Sequence, residues 1–374
     1  MKILYKLRRL FSYIVKLYWL SKSHRNIIVW LDWLLRNFKE EFELDIFLDA
    51  TFAEYYREFP VILVDVGASG GIEPNWRKAR KYLKTIGFEP DEREFRILER
   101  QADNNTKYLN VGLYNKKTSL DIYLTKKQQA SSVFKPNYKF IKEFPEPERF
   151  ELVGKTKLKT DTLDNQFKIH NIEDADFIKI DTQGSELFIL QGASNTIKQH
   201  IFGLEVEVEF VEMYENQPLF SDVDSFLRKE GFQLFDIQRF YWKKSIGKNY
   251  GKLKGQLVFG NALYFKKVEH FIKTLDEINN HLSKKSKILR AISICLLYGY
   301  VDYAYEILNT TSSLFDPKES QIAIQKIRSM VPLANRTPDF SSKSNAEHTF
   351  YKASKILESS HNGWGTCDRT FGNL

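Results

Sequence analysis

The sequence predicts an α/β protein built on a doubly wound, mostly parallel sheet. Three observations predict it. The run VILVDV, residues 61–66, is almost wholly apolar, as a parallel strand covered on both faces must be. The run ADFIKID, residues 175–181, is bounded by Gly184 and then by Leu187, Leu190 and Ala193 at helical spacing. Between and around these runs, strand-like and helix-like stretches alternate at the rhythm of βα units.

Taken in order, residues 1–40 are basic and amphipathic, with Ile3, Leu4, Leu7, Leu10, Phe11, Ile14, Val15 and Tyr18 at helical spacing and no acidic residue before Asp32. Lys16, Lys22 and Arg25 interrupt the apolar runs well short of the ~18 residues a membrane span needs. No small-residue cleavage site marks a signal peptide. Two readings stay open, a helix docked on its own domain and a helix lying on an anionic membrane surface. Residues 41–59 look helical. After the first strand, Gly67, Gly70 and Gly71 make a turn, and a helix is expected over 76–82. Residues 84–88 form the second strand, ending in Glu89-Pro90; Asp91 then caps a helix, and residues 107–113 form the third strand.

Residues 114–165 break the rhythm. SLDIYL and LVGKTKLKTDTL read as a hairpin insertion, and the polar loop 126–149 between them reads as solvated surface or as a mobile cover for a ligand. In IFGLEVEVEF, Leu204, Val206 and Val208 alternate with Glu205, Glu207 and Glu209. Ser221 and Asp224 suggest a capping box, and FQLFDIQ and KGQLVFGNALYFKK are the last two strands, with Phe240-Tyr241-Trp242 in their connection. From Val268 the pattern is helical, and the tail is rich in Ser, Asn and Gly. The expected segments are therefore a basic helical segment (1–59), a sheet domain (60–267), a helical appendage (268–332) and a weakly ordered tail (333–374).

Composition narrows the class. With 43% hydrophobic and 28% charged residues the chain is globular rather than disordered or fibrous. A net charge of +8 speaks to solubility and to anionic partners, not to fold. Cys295 and Cys367 form no CxxC, so no zinc site or disulfide framework is expected, and a reducing, cytoplasmic compartment suits them.

Chemistry is expected at the carboxyl ends of the strands. A dinucleotide fold wants G-x-G-x-x-G, but here Gly67 is followed by Ala68, Ser69, Gly70 and Gly71. Asp65 would repel a pyrophosphate and suits a cofactor with an amino group and no phosphate, such as S-adenosylmethionine. Glu89, at the next strand end, is placed to accept hydrogen bonds from both ribose hydroxyls; its alternative is a helix N-terminal charge.

At this point the chain resembles a family. VDVGASGG, GFEPD, NVGL, TLD, FIKIDTQGSELFILQGA, LEVEVEF, YENQPLFSDVDSFL, GFQLFDI and GQLVFGNALYF occur in the order of the FkbM-type S-adenosylmethionine-dependent methyltransferases, over residues 60–266. The resemblance implies a class I methyltransferase fold, Rossmann-like, with seven strands and an antiparallel final hairpin. It implies O-methylation, mostly of sugar or polyketide-type hydroxyls. It also implies that Asp65, Gly67, Ala68, Ser69 and Gly71 surround the cofactor's methionine, that Glu89 and Pro90 lie at the ribose, and that Asn110 and Val111 lie near the adenine. Asp181 would face the reacting methyl, with Gln183 and Glu186 on the same rim. Asn261 stands where an aspartate is expected, which puts any role there in doubt.

A sugar hydroxyl loses its proton late, so a nearby carboxylate serves as general base or positions the acceptor. Asp181 is the first candidate, and Glu205 and Glu207 follow, because glutamates on a central strand are costly unless paired or solvated. A salt bridge is the alternative for Glu205, and exposure past the strand end for Glu209. Tyr241 and Trp242 either stack on a sugar or belong to the core. Asp181 and Glu207 suit magnesium or manganese, but the histidines offer no ligand spacing and a metal is not favoured. The partners expected are a small-molecule or glycan acceptor and a peripheral membrane contact through residues 1–40, with no nucleic acid. The competing reading is a non-catalytic module that retains the cofactor or binds glycan.

Overall fold

The structure is a computed structural model that describes residues 44–247, 254–330 and 365–368. All of them belong to one of the chain's two units, Leu44–Leu374. The expectations for the 1–40 helix, for most of the tail and for residues 248–253 lie outside the described residues.

The main sheet contains β1 (Val61–Val66), β2 (Leu83–Phe88), β3 (Thr106–Leu109), β7 (Phe177–Ile180), β8 (Gly203–Glu209), β9 (Phe232–Trp242), β10 (Gln256–Lys266) and β11 (Gly365–Cys367). Their order is β11-β9-β10-β8-β7-β1-β2-β3. The five strands from β3 to β8 are parallel, and β10 and β9 return antiparallel. Those seven strands are the expected class I arrangement. The eighth, β11, pairs with β9 at the edge and comes from the far end of the chain, where no local pattern announces it.

Strand order reverses at β1, which has β2 on one side and β7 on the other. The carboxyl ends of β1 and β7 therefore flank the crevice where open α/β sheets bind ligands. Every residue of β8 is buried, its glutamates included. That burial excludes simple exposure for Glu209.

The expected third strand is two. Asn110 donates its side-chain amide to the carbonyls of Glu89 (2.9 Å) and Pro90 (3.2 Å), and the chain turns there. β3 ends before this turn, and β4 (Gly112–Leu113) joins β5 (Thr118–Thr125) and β6 (Leu152–Asp161) in a separate sheet of order β4-β6-β5. The hairpin insertion is thus present, with a third strand taken from the main sheet's connection. The helix expected over 76–82 is only a turn, Pro74–Arg77, followed by a 3-10 turn, Arg80–Tyr82.

The helices start where polar side chains accept their first free N–H groups. Asp49 caps α1 (Ala50–Glu58), Asp91 caps α2 (Glu92–Gln101) and Thr162 caps α3 (Leu163–Ile169). Beyond β7 lie α4 (Glu186–Gly192), α5 (Ser194–Gln199) and α6 (Phe220–Lys229). The α6 cap differs from the expected Ser221 and Asp224: Asp222 accepts the N–H of Leu219 (2.9 Å), and Asp224 instead meets Tyr264 (3.2 Å) and Arg228.

α7 (Val268–Asp276), α8 (His281–Leu297), α9 (Val301–Thr310) and α10 (Pro317–Ser329) follow the last long strand. They are not set apart from the sheet. Their buried residues form one core with α1 and with Phe177, Phe202, Leu263 and Phe265 on one sheet face. Tyr298, just past α8, stacks on Phe177 with ring centres 5.5 Å apart, and Trp76 meets the same ring edge-on at 4.9 Å. The other sheet face is covered by α3 to α6, through Leu163, Ile189, Leu190, Ile197 and Leu227 among others.

Candidate functional site

The site begins where β1 ends. Gly67 takes φ +79°, and a Cβ there would stand against the backbone oxygen of Asp181, 3.1 Å from the carbonyl carbon. Only glycine lets the turn touch the end of β7. The N–H groups of Gly67 and Ala68 both donate to the Phe88 carbonyl (3.0 and 3.2 Å), and Gly71 N–H donates to Ala68 (3.1 Å). These three donors are committed within the protein. Gly70 and Gly71 are also left-handed, and nothing stands within 4 Å of where their Cβ atoms would be. Ser69 is exposed, whereas Ala68 is buried and packs down towards β2.

Asp65 is 2% exposed, and its Oδ1 has no hydrogen-bond partner. Lys179 Nζ stands 3.8 Å from that oxygen, too far for a hydrogen bond, and 3.4 Å from Glu73. Burial pushes the Asp65 carboxyl up to about 6, against the pull of Lys179. Glu89 accepts the Asp91 N–H at 2.8 Å, and burial raises it to about 7. Asn110 spends its amide on the Glu89 and Pro90 carbonyls, which fixes the strand end. Val111 packs at the margin of the core. The ring of Tyr108 lies over Gly87, where any Cβ would meet it. Tyr108 and Lys179 were not picked out by sequence reasoning; the only signal was a cation inside a strand otherwise free of them.

Across the crevice, the strand registers place two rows on one sheet face. Asp65, Lys179 and Glu205 pair side by side on β1, β7 and β8. Two residues further along each chain stand Gly67, Asp181 and Glu207. Asp181 N–H donates to the Val66 carbonyl (3.0 Å), which holds this end of β7 to β1. Gln183, in a left-handed conformation (φ +60°), donates its amide to Asp181 (3.2 Å) and to Glu207 (2.7 Å). Its side-chain oxygen accepts from the Tyr214 hydroxyl (3.1 Å), and its backbone carbonyl accepts from Ser132 (2.7 Å). The loop 126–149 thus reaches the rim through Ser132, and Phe134 from the same loop faces Phe188 on α4, centre to centre 6.0 Å. Burial, with Asp181 and Glu209 beside it, holds Glu207 well above the carboxylate range.

Three sequence expectations change here. Glu205 is not a rim residue: it is 3% exposed and accepts the Tyr298 hydroxyl at 2.9 Å, down among the helices, with burial raising it to about 8. Glu186 turns back to accept the N–H (2.7 Å) and hydroxyl (2.9 Å) of Thr182, so it closes the turn into α4 instead of facing a substrate. Tyr241 and Trp242 lie inside β9, with β10 and β8 between them and β7. Trp242 packs among Phe144, Phe150 and Phe259, and Tyr241 meets Lys254 at 4.4 Å, so neither stands beside Asp181. Asp181 and Glu207 do come together, beside each other and under the shared Gln183 amide. Among the described residues no group of three or more His, Cys, Asp or Glu side chains is arranged to hold a metal ion.

Residues 65–234 match the family model of the methyltransferase FkbM domain, a stretch that runs from the end of β1 to the start of β9 and includes the crevice residues just described. Among solved structures, the chain is similar to the methyltransferase FkbM from Methylobacillus flagellatus, at 16% identity and TM-score 0.34, covering 55% of this chain and 43% of that one. This chain thus spans less than half the length of that relative. It is also similar to magnesium protoporphyrin IX methyltransferase from Synechocystis PCC 6803, solved with bound S-adenosylmethionine, at 10% identity, TM-score 0.30 and coverage of 59% and 77%. A third is precorrin-6y C5,15-methyltransferase from Geobacter metallireducens, at 10% identity, TM-score 0.29 and coverage of 58% and 86%. A comparison with curated proteins returns no match.

Proposed function

We propose that this protein is an S-adenosylmethionine-dependent O-methyltransferase whose acceptor is a hydroxyl of a sugar or glycan-bearing intermediate. The observation that carries the cofactor is Asp65 Oδ1, a buried carboxylate oxygen without a donor, beside a glycine turn in which the N–H groups of Gly67, Ala68 and Gly71 bond within the protein. Such a place takes an ammonium group and has little to offer a phosphate. The match to the methyltransferase FkbM domain supports the same cofactor.

Asp65 would hold the amino group, the 67–71 turn the methionine chain, and Glu89 the ribose hydroxyls. The bound cofactor supplies an electrophilic methyl group on a sulfonium. The protein aligns the acceptor with it and takes the acceptor's proton. Burial and the neighbouring carboxyls push Glu207 towards its neutral form, so the base is assigned to Asp181, half-buried at the same rung. Gln183 orients both carboxyls by one amide. Asp181, Thr182 and Gln183, half-buried at the end of β7, present polar atoms to the crevice, which suits a polyhydroxy acceptor.

Calorimetric titration with S-adenosylmethionine tests the cofactor; no binding by the intact protein sinks the reading. Labelled-methyl transfer into extracts of the native organism then identifies the acceptor. Binding without transfer to any component supports the non-catalytic alternative. With the acceptor known, Asp181→Ala is expected to lower turnover at least about 100-fold with cofactor affinity little changed, the usual scale of a lost general base. Turnover near the wild-type rate would remove Asp181 from that role.

The proposed location is cytoplasmic, with peripheral membrane contact through residues 1–40. No helix among the described residues is long and apolar enough to cross a membrane. Deleting residues 1–40 is expected to reduce sedimentation with anionic vesicles at low salt; unchanged sedimentation rejects the contact.

A further inference from the structure

The row Asp65–Lys179–Glu205 lies one rung below the proposed reacting groups, and only Asp65 of it has been given a role above. Lys179 is its one cation. Its ammonium stands 3.8 Å from Asp65 and 3.4 Å from Glu73, and on its other side Glu205 is already bonded by Tyr298. We propose that Lys179 is a positioning residue for the cofactor: from the middle of this row it keeps Asp65 ionised and aimed, while leaving Oδ1 free for the ligand's ammonium group. The inference rests on the reading that Asp65 receives that group.

The distance is the reason. A lysine at hydrogen-bond range would occupy Oδ1 and compete with the ligand. At 3.8 Å it supplies the field of a positive charge without consuming the acceptor. Lys179 can do so because it is shared. Asp65 faces it from β1, Glu205 from β8, Glu73 from the segment after the glycine turn and Asp181 from its own chain; Tyr298 reaches the row through Glu205. Asp65 is further neighboured by Tyr108 on β3 and by Glu89 at the end of β2. All those groups are acidic or neutral. Without the lysine, Asp65 would share a buried site with other carboxyls and no neighbouring cation, and it would hold its proton. A protonated Asp65 cannot pair with an ammonium group.

The test is calorimetric titration across pH of the intact protein, Lys179→Met and Lys179→Arg, with S-adenosylmethionine and with methylthioadenosine, which lacks the amino acid end. Wild-type affinity for S-adenosylmethionine should weaken only below about pH 6, where Asp65 takes its proton. In Lys179→Met the break should move above neutrality, and a displacement of about two units lowers affinity at pH 7 about tenfold. Affinity for methylthioadenosine should not change, and Lys179→Arg should restore most of the loss. Equal weakening of both ligands marks a merely structural role and overturns the proposal, as does an unchanged pH profile in Lys179→Met. If Lys179→Met does not fold, the wild-type break decides: affinity for S-adenosylmethionine that does not depend on pH between about 5 and 8 overturns the proposal. A wild-type protein that binds no S-adenosylmethionine fails the functional reading instead, so the two failures are distinct.

Discussion

Gly67→Ala is expected to abolish measurable S-adenosylmethionine binding and to destabilise the protein by about 2–6 kcal/mol, as the sum of a left-handed backbone strain and an overpacked contact. Both costs arise at one atom. The new Cβ would sit against the backbone oxygen of Asp181 while the residue is held at φ +79°. Relief requires the end of β1 to part from the end of β7, and that junction is the floor of the crevice. Gly70→Ala is the control. It carries the same sign of φ, +86°, but meets nothing within 4 Å, so only the strain of ~1–2 kcal/mol remains. Chemical denaturation of the two variants separates clash from strain. A Gly67→Ala protein that binds cofactor like the wild type would mean that this turn does not wall the cofactor's place.

The contrast between these glycines shows what was legible in the sequence. A glycine turn after a buried strand can be read from spacing, and so can the aspartates at the ends of β1 and β7. Which glycine touches which strand depends on strand order, which spacing does not contain. The same limit explains Glu205, Glu207 and Glu209. Alternation placed them on one face, correctly, but their partners come from elsewhere: Tyr298 from 93 residues downstream and Gln183 from the turn before α4. Burying a glutamate is costly only when no donor meets it, and the donor cannot be seen locally. Tyr241 and Trp242 were misplaced for a different reason. The expected strand stops at Gln238, yet β9 runs on to Trp242, where its edge is paired by β11, a strand from the other end of the chain. The helices after residue 267 have readable periodicity, but α8 is buried nearly all round, which its lysines and arginine disguised.

Those cations lead to the second large effect. Arg290→Met is expected to cost about 3–5 kcal/mol, the scale for removing one partner from a buried ionic network. Lys287 and Arg290 on α8 reach the stretch just before β7. Lys287 meets Asp174 (2.6 Å) and Asp176 (2.9 Å), and Arg290 meets Asp174, Asp176 (3.2 Å) and the Pro60 carbonyl (3.2 Å). Asp176 also accepts the N–H of Ile62 at 2.8 Å, so the network joins α8 to the amino ends of both β1 and β7. Its strength comes from Asp176, which is 1% exposed and cannot turn to water once Arg290 is gone. Urea unfolding should show the loss as a lower midpoint with the slope unchanged. The pH dependence has a definite sign. Burial alone would raise Asp174, but Lys287 and Arg290 hold it well below the ordinary carboxylate range. A depressed native value contributes stability that is fully present above the unfolded value near 4 and is lost as pH falls below it. The wild type should therefore lose stability steeply below about pH 4, and Arg290→Met less steeply, because much of that stability has already been removed. A cost under ~1 kcal/mol, or parallel acid profiles for the two proteins, would show the pairs to be as weak as exposed ones. The outcome bears on function as well as stability, because β1 and β7 are clamped here at one end and open at the other to hold Asp65 and Asp181.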